Sequence, residues 1–235
     1  MRKKIELLVL LLALAGIYTV SRNLEKYVQS DQVKSEQERK MDLVVIDSGH
    51  GGRDPGKGGI NEGLEKDINL KISKQVEKEL KNKGYQVVMT REKDQMLAGE
   101  TSGNSKIQDM KARVDLINEK APGLAVSIHQ NSYHEEEIHG AQVFYYSHSA
   151  EGHTAAKLMQ QALLGVDSEN TRQEKANDTY YLLRRTQVPT IIVECGFLSN
   201  QREADLLAGK DYQKKIAKAI ATGIDEYLRN AADGT

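Results

Sequence analysis

Two histidines and a glutamate follow short apolar segments of the chain, and their types and positions suit metal-dependent chemistry. Residues 43–47 lead to His50, residues 124–128 lead directly to His129, and residues 190–193 lead directly to Glu194. Short β-branched segments between turn residues are typical of buried strands in a parallel sheet. In open α/β sheets the carboxyl ends of the strands border the ligand crevice. We therefore expect these three side chains to converge on one site, as in a metal hydrolase.

The loop after the first apolar segment offers the carboxylate that such a site would need as its third ligand. A catalytic zinc ion takes three protein ligands and keeps an open position for water. His50 and His129 supply two ligands, and Glu62 and Glu65 are both candidates for the third. Glu65 is favoured because it opens the following helix, where a ligand is held more rigidly than in a loop. The residues alone leave Glu62 open as an alternative.

Glu194 is the most unusual single residue, since its charged side chain directly follows an apolar Ile-Ile-Val segment. A buried carboxylate is costly unless it is paired, bound to metal or retained for catalysis. We expect a functional role for Glu194, as a metal ligand or as a catalytic group. A salt bridge to a neighbouring arginine or lysine is the alternative.

The loop over residues 49–59 contains six glycines, which allow the backbone to approach a ligand closely. Residues 51–57 match the first seven positions of a Walker phosphate-binding loop. The next residue is Gly58, where that motif requires serine or threonine to bind magnesium. Asp54 also places negative charge where the phosphate would lie, and Pro55 removes a backbone donor. We therefore reject nucleotide binding.

The remaining histidines and the single cysteine give weaker indications of chemistry. We assign His134, His139, His148 and His153 to the surface, and we expect Cys195 to be a buried, unreactive side chain. One cysteine excludes both an intramolecular disulfide and an all-cysteine zinc site. The net charge of −1 provides no basic surface for a phosphate backbone, so we expect no nucleic-acid partner.

From residue 41 onward, strand patterns alternate with helix patterns. This alternation predicts an α/β fold whose mostly parallel sheet is covered by helices on both faces, in a single catalytic domain over residues 41–230. The predicted strands cover residues 43–47, 85–90, 124–128, 142–146, 179–183 and 190–193, and the predicted helices cover residues 64–83, 107–119, 154–165, 201–207 and 212–228.

The first forty residues differ from this domain in composition. Residues 1–20 carry three basic side chains before an apolar stretch, which is typical of a signal peptide or membrane anchor. Residues 21–40 are polar and charged, and we interpret them as a solvated stalk. The chain is therefore expected to be exported, and to contact the membrane if the first segment is not cleaved.

Four motifs together resemble the zinc-dependent N-acetylmuramoyl-L-alanine amidases of the type-3 family. The motifs cover residues 46–52, 65–67, 127–131 and 193–200, and the resemblance extends from about residue 41 to residue 228 in the family's order. It implies one zinc ion per chain, bound by His50, Glu65 and His129, with Glu194 as the catalytic glutamate. Asn131 matches the family's asparagine near the site and is expected to bind substrate.

The short domain, the apolar N-terminal segment and the lack of wall-binding repeats resemble the spore-cortex amidases of endospore formers. The resemblance implies cleavage of the amide between N-acetylmuramic acid and L-alanine in cortex peptidoglycan, the step that leads to muramic lactam, and it allows for an activating protein partner. Ser48 departs from the family's usual proline, and Cys195 from a valine or another small residue. The alternatives are a zinc peptidase acting within the stem peptide and a non-catalytic peptidoglycan-binding protein.

Overall fold

The computed structural model describes residues 18–24, 26, 41–99 and 105–233. The chain divides into two compact units, Met1–Arg39 and Lys40–Thr235, and residues 18–24 and 26 of the first unit are helical. The predicted targeting segment over residues 1–20 and the predicted stalk over residues 21–40 lie almost entirely outside the described residues, so both stay predictions. None of the helices in the part of the chain that the structure describes has the length and apolar character of a membrane span.

Strands and helices alternate along the second unit, as the sequence predicts. The strands are β1 (Leu43–Ser48), β2 (Gln86–Met89), β3 (Leu124–Asn131), β4 (Gln142–Tyr145), β5 (Lys175–Ala176) and β6 (Thr190–Phe197). The helices of this unit are α1 (Glu65–Asn82), α2 (Ser105–Lys120), α3 (Ala150–Leu164), α4 (Tyr181–Arg185), α5 (Gln201–Ala208) and α6 (Lys210–Asp233).

The strands form one six-stranded sheet in the order β2-β1-β3-β6-β4-β5. Strands β2, β1, β3 and β6 run parallel to one another, whereas β4 is antiparallel to β6 and carries β5 along its outer edge. The prediction of an α/β fold with a mostly parallel sheet is confirmed.

Both faces of the sheet are buried because successive strand residues point to opposite sides. Ile46 and Val126 pack on one face with the apolar sides of α1, α3 and α6. Val45 and Ala125 pack on the other face with α2 and α4. Each fully buried aliphatic side chain contributes about 1.5–3 kcal/mol to folding, so the two layers hold the sheet between them.

The order in which strands are added to the sheet reverses at β1. This reversal determines where the candidate site lies. After β1, the chain forms β2 on one side of β1 and then β3 on the other side. A crevice opens at the carboxyl ends of strands at such a switch point. His50 follows β1 and His129 lies near the end of β3, so the two histidines border this crevice.

Two predicted strand ends are wrong. β3 continues past His129 to Asn131, and β6 continues past Glu194 to Phe197. The pairing of the two strands shifts between His129 and Asn131, and this irregularity lets them extend together. Both candidate residues therefore lie within strands, where backbone pairing fixes them more firmly than a loop would.

The predicted strand over residues 179–183 is also wrong, because this segment enters helix α4 at Tyr181. The side-chain oxygen of Asn177 accepts hydrogen bonds from the backbone N–H groups of Thr179 and Tyr180, at 2.8 and 2.9 Å. Such local bonds from asparagine favour a turn over an extended strand.

Candidate metal centre and active site

His50, Glu65 and His129 form a compact cluster at the crevice, and one ligand atom from each lies within 4.8 Å of the others. The Glu65 carboxylate lies between the two rings. Its Oε2 atom is 3.1 Å from Nε2 of His50, and its Oε1 atom is 3.0 Å from Nδ1 of His129. The two imidazoles meet edge to face, with centroids 4.9 Å apart.

The spacing of these three side chains fits a divalent metal such as zinc. Zinc binds histidine nitrogen and carboxylate oxygen at ~2.0–2.2 Å, which places neighbouring ligand atoms of a tetrahedral site roughly 3.3 Å apart. The two nitrogen–oxygen distances in the cluster are close to that value. Gly49 contributes by its small size, because a methyl group there would overlap the His129 imidazole. The donor set and the packing around it therefore both suit a bound metal.

His50 is oriented by a carboxylate on its far side. Asp54 lies four residues further along the loop and accepts a hydrogen bond from Nδ1 of His50 at 2.8 Å. This contact leaves Nε2 directed at Glu65, which is the usual arrangement for a metal-binding histidine. Lys106 approaches the other oxygen of Asp54 at 2.7 Å. Burial favours a higher pKa for the Asp54 carboxyl, but the hydrogen bonds from Lys106 and His50 lower it below its ordinary value.

Glu65 begins helix α1 and is almost completely buried. Its Oε2 atom accepts a hydrogen bond from the backbone N–H of Lys57 at 2.7 Å, and its Oε1 atom accepts one from that of Gln130 at 3.2 Å. Burial alone would raise the pKa of the Glu65 carboxyl, but the two histidines outweigh it and hold that pKa well below its usual range. Glu62, the open alternative, is exposed and lies outside the cluster.

The pKa of His129 is raised, whereas that of Glu65 is lowered. Burial favours a lower pKa for its imidazole, but the hydrogen bond and negative charge of Glu65 prevail and raise that pKa to about 9. In the absence of a metal ion, the proton on His129 therefore compensates the charge of Glu65.

Glu194 lies beside the cluster, directly opposite His129 in the pairing of β3 with β6. The side chain is buried, and no residue that the structure describes forms a hydrogen bond with its Oε2 atom. Burial raises the pKa of the Glu194 carboxyl to about 7, against the opposing attraction of His129. A buried carboxylate with an unpaired oxygen and a raised pKa at a crevice is typical of a functional group rather than a structural ion pair.

A buried charged network that was not predicted from the sequence supports the cluster. Arg113 of α2 contacts Asp47 of β1 at 2.6 Å and Asp109 at 2.8 Å. The same guanidinium donates to the backbone carbonyls of Ser48 and His50, at 2.8 and 2.7 Å. The network therefore fixes the backbone at the point where β1 enters the glycine-rich loop.

A second buried arginine holds the same segment from another side. Arg91 donates to the carbonyls of Ser48 and Gly49 at 2.9 and 3.0 Å, and to that of Lys66 at 2.7 Å. Lys66 directly follows Glu65 in the chain. Arg91 thus links the loop that carries His50 to the helix that carries Glu65.

Asn131 is not part of the three-residue cluster. Asn131 is half-buried at the end of β3, and its side-chain oxygen accepts a hydrogen bond from the backbone N–H of Ser132 at 2.8 Å. The substrate-binding role of Asn131 stays a prediction. Cys195 is buried as expected, and burial raises the pKa of its thiol.

The surface assignment is wrong for one of the four remaining histidines. Three of these histidines are exposed, namely His134, His148 and His153. His139 is half-buried, and its enclosed Nδ1 atom has no hydrogen-bond partner among the described residues. The cause is local packing, since Arg172 donates to the carbonyl of His139 at 2.6 Å and holds this loop against the domain.

Comparison with known proteins identifies the family of the chain. Residues 44–226 match the family model described as N-acetylmuramoyl-L-alanine amidase. The chain belongs to this amidase family. It is therefore an enzyme that hydrolyses the amide bond between N-acetylmuramic acid and L-alanine in peptidoglycan. The resemblance drawn from the four motifs is confirmed.

Individual relatives agree with the family match. The amidase is 40% identical over 194 residues to the germination-specific N-acetylmuramoyl-L-alanine amidase of Bacillus subtilis (strain 168), and the alignment covers 81% of each chain. It is similar to the CwlD amidase from Clostridioides difficile, solved in complex with the GerS lipoprotein, with a TM-score of 0.77 and 36% identity over 80% of this chain and 98% of that one. AmiC2 of Nostoc punctiforme gives a TM-score of 0.70 and 33% identity, over 80% of this chain and 97% of that one.

Proposed function

We propose that the amidase is zinc-dependent, that His50, Glu65 and His129 bind the zinc ion, and that Glu194 transfers the protons of the reaction. The observation that carries this proposal is the position of Glu194. Its buried carboxyl lies opposite His129 across two paired strands. Among the described residues, its Oε2 atom has no hydrogen-bond partner. A carboxyl group so placed is available to exchange a proton with the reacting atoms.

The reaction divides between the zinc site and the protein's own groups. When bound, zinc would polarise the scissile carbonyl and lower the pKa of a water molecule to ~7. Glu194 in its ionised form accepts a proton from the attacking water and then donates it to the alanine nitrogen as the amide bond breaks. Without a metal ion, burial raises the pKa of the Glu194 carboxyl to about 7, so this group can hold a proton near neutral pH. Asn131 is proposed to bind the substrate from the end of β3.

We further propose that the substrate is the peptidoglycan of the spore cortex, in the step that leads to muramic lactam. This rests on the 40% identity to a germination-specific amidase and on the likeness to the CwlD amidase. The latter was solved with the GerS lipoprotein, which supports an activating lipoprotein as a partner here. Access to the cortex requires export, and residues 1–20 are proposed to serve as the signal peptide or membrane anchor.

The fragments released from peptidoglycan test the zinc dependence and the site together. The purified full-length chain is incubated with cortex peptidoglycan, with zinc or with a chelator, and the products are identified by mass spectrometry. We expect free stem peptides that begin with L-alanine, their loss on chelation and their return when zinc is added. The Glu65→Gln variant is expected to release none, whereas Glu62→Gln, three residues away and exposed, is the matched control.

Other products would contradict the proposal in distinct ways. Fragments cut between amino acids would indicate a peptidase acting within the stem peptide. Binding to peptidoglycan without release, in the presence of zinc and a cortex lipoprotein fraction, would indicate a non-catalytic protein. Release that persists after complete removal of the metal would refute the zinc proposal alone.

A further inference from the structure

A small cavity opens beside Glu194 on the face of the sheet that carries α2 and α4. Its volume is about 100 Å³, and Glu194 and His129 form part of its wall. His50 and Glu65, the other two residues of the cluster, do not line it. The cavity therefore extends from the active site on the Glu194 side of the cluster.

The wall of the cavity away from the cluster is mainly apolar. Met110 of α2, Leu182 of α4 and Ile192 of β6 contribute to it, together with Tyr180 at the start of α4. Tyr180 is held in place by an edge-to-face contact with Phe144, with ring centroids 5.5 Å apart. Such a wall favours an apolar ligand group.

The cavity wall also includes Ser127 and Asp47, whose side chains are already paired. Ser127 donates to one oxygen of Asp47 at 2.5 Å, and the other oxygen of Asp47 accepts from Thr90 and Arg113 at 2.8 and 2.6 Å. These groups have little capacity left for a polar ligand. The cavity thus combines a mainly apolar wall with the carboxyl group of Glu194.

The size of the cavity limits what it can hold. An apolar cavity of ~150 Å³ admits a benzene ring, so a cavity of about 100 Å³ is suited to an alkyl group smaller than an aromatic side chain. In the substrate of the proposed function, the nitrogen that receives a proton from Glu194 is bonded to the Cα atom of L-alanine. The methyl group of that residue is thus the apolar group nearest to Glu194 on the leaving side.

We propose that this cavity binds the side chain of the first stem-peptide residue and restricts the leaving amine to amino acids with small side chains. This rests on the proposed role of Glu194. Met110 determines the selectivity, because it lies on α2 at the wall of the cavity and is only partly buried. A missing or additional methylene in an apolar pocket changes kcat/KM by about 10–200-fold.

The test uses synthetic N-acetylmuramoyl peptides that differ only in the first amino acid, which is glycine, alanine or phenylalanine. For the zinc-loaded full-length enzyme, we expect kcat/KM to be highest for alanine, at least about tenfold lower for glycine and at least about 100-fold lower for phenylalanine. Met110→Ala is expected to improve phenylalanine relative to alanine by about tenfold or more. Met110→Phe is expected to reverse the preference of alanine over glycine.

Ile107→Ala is the matched control, because Ile107 lies on the same helix but is exposed and does not line the cavity. It is expected to leave all three ratios within about twofold of the wild type. Unchanged ratios in both Met110 variants, with alanine still cleaved, would overturn the cavity assignment and leave the proposed function intact. A wild-type enzyme that cleaves none of the substrates, with zinc and the cortex lipoprotein fraction present, would contradict the proposed function itself.

A further substrate separates the two methyl groups that flank the scissile amide. A muramoyl analogue with glycolyl in place of lactyl lacks the methyl group on the sugar side. We expect the ratio of lactyl to glycolyl substrates to be the same in the wild type and in Met110→Ala. A ratio that changes with Met110, while the amino-acid preference does not, would place the lactyl methyl in the cavity and overturn the proposal.

Discussion

The guanidinium of Arg113 donates a hydrogen bond of 2.7 Å to the backbone carbonyl of His50, whose φ angle of 61° lies in the left-handed region. A non-glycine residue in a sparsely populated conformation of this kind costs about 1–3 kcal/mol and persists where surrounding contacts enforce it. The same guanidinium is paired with Asp47 at 2.6 Å in the interior of the domain. A buried ion pair thus maintains the backbone conformation that directs His50 toward the crevice.

Replacement of Arg113 by methionine should weaken the fold as a whole. The change leaves Asp47 buried without its cation, and the loss of one partner of a buried pair costs about 3–5 kcal/mol. Urea unfolding of the metal-free protein measures this free energy. Arg229→Met is the control, because Arg229 is exposed and its ion pair with Asp225 should contribute little to stability. Equal unfolding free energies for the wild type and Arg113→Met would contradict the role of the pair.

The ion pair also predicts a specific acid sensitivity. Burial would raise the pKa of the Asp47 carboxyl, but Arg113 and the hydrogen bonds from Ser127 and Thr90 lower it from 3.8 to about 2. Because the folded-state pKa is depressed, this stabilisation is complete above pH 3.8 and is lost as the pH falls toward 2. Lowering this pKa from 3.8 to about 2 corresponds to about 2 kcal/mol.

We therefore expect the difference in unfolding free energy between the wild type and Asp47→Asn to shrink by about 2 kcal/mol between pH 5 and pH 2. Urea titrations at several pH values in this range provide the measurement. Glu62→Gln, which removes an exposed carboxylate, serves as the reference for general effects of acid. A difference that stays constant across the range would show that Asp47 does not titrate as described.

Metal binding should release a proton from His129. At pH 8, a pKa of about 9 leaves most His129 side chains protonated in the metal-free protein, and an imidazole must lose that proton to bind zinc through the same nitrogen. The apparent zinc affinity should rise by up to about tenfold per pH unit from pH 7 to pH 9, and then level off. Calorimetry in buffers of different ionisation enthalpy counts the protons, and zinc binding at pH 8 without net release would contradict the prediction.

The sequence indicates the residues of the candidate site better than the buried charged residues that hold them in place. His50, His129 and Glu194 are conspicuous because each follows an apolar segment. Such a segment indicates a buried strand. Asp47 also ends an apolar segment, that of β1, but no role for it was predicted from the sequence. Arg113 lies among Met110, Val114 and Ile117 on the apolar side of α2, where a charged residue indicates a buried partner.

The pattern of apolar residues in the sequence does not determine where the strands end. A charged residue after an apolar segment suggests the end of a strand, but His129 and Glu194 continue into further pairing because β3 and β6 extend together past their irregularity. The error at residues 179–183 has a similar origin. Side-chain bonds from Asn177 to the backbone start a turn there, and no pattern of apolar residues records them.

The Glu194→Gln variant gives the most direct test of the central claim, that Glu194 transfers protons beside a zinc ion held by His50, Glu65 and His129. Zinc content and the turnover of an N-acetylmuramoyl-L-alanyl peptide are measured on the same preparation. The account predicts one zinc ion per chain, as in the wild type, with kcat reduced by about 10²–10⁴-fold. Turnover close to that of the wild type with zinc fully bound would contradict it.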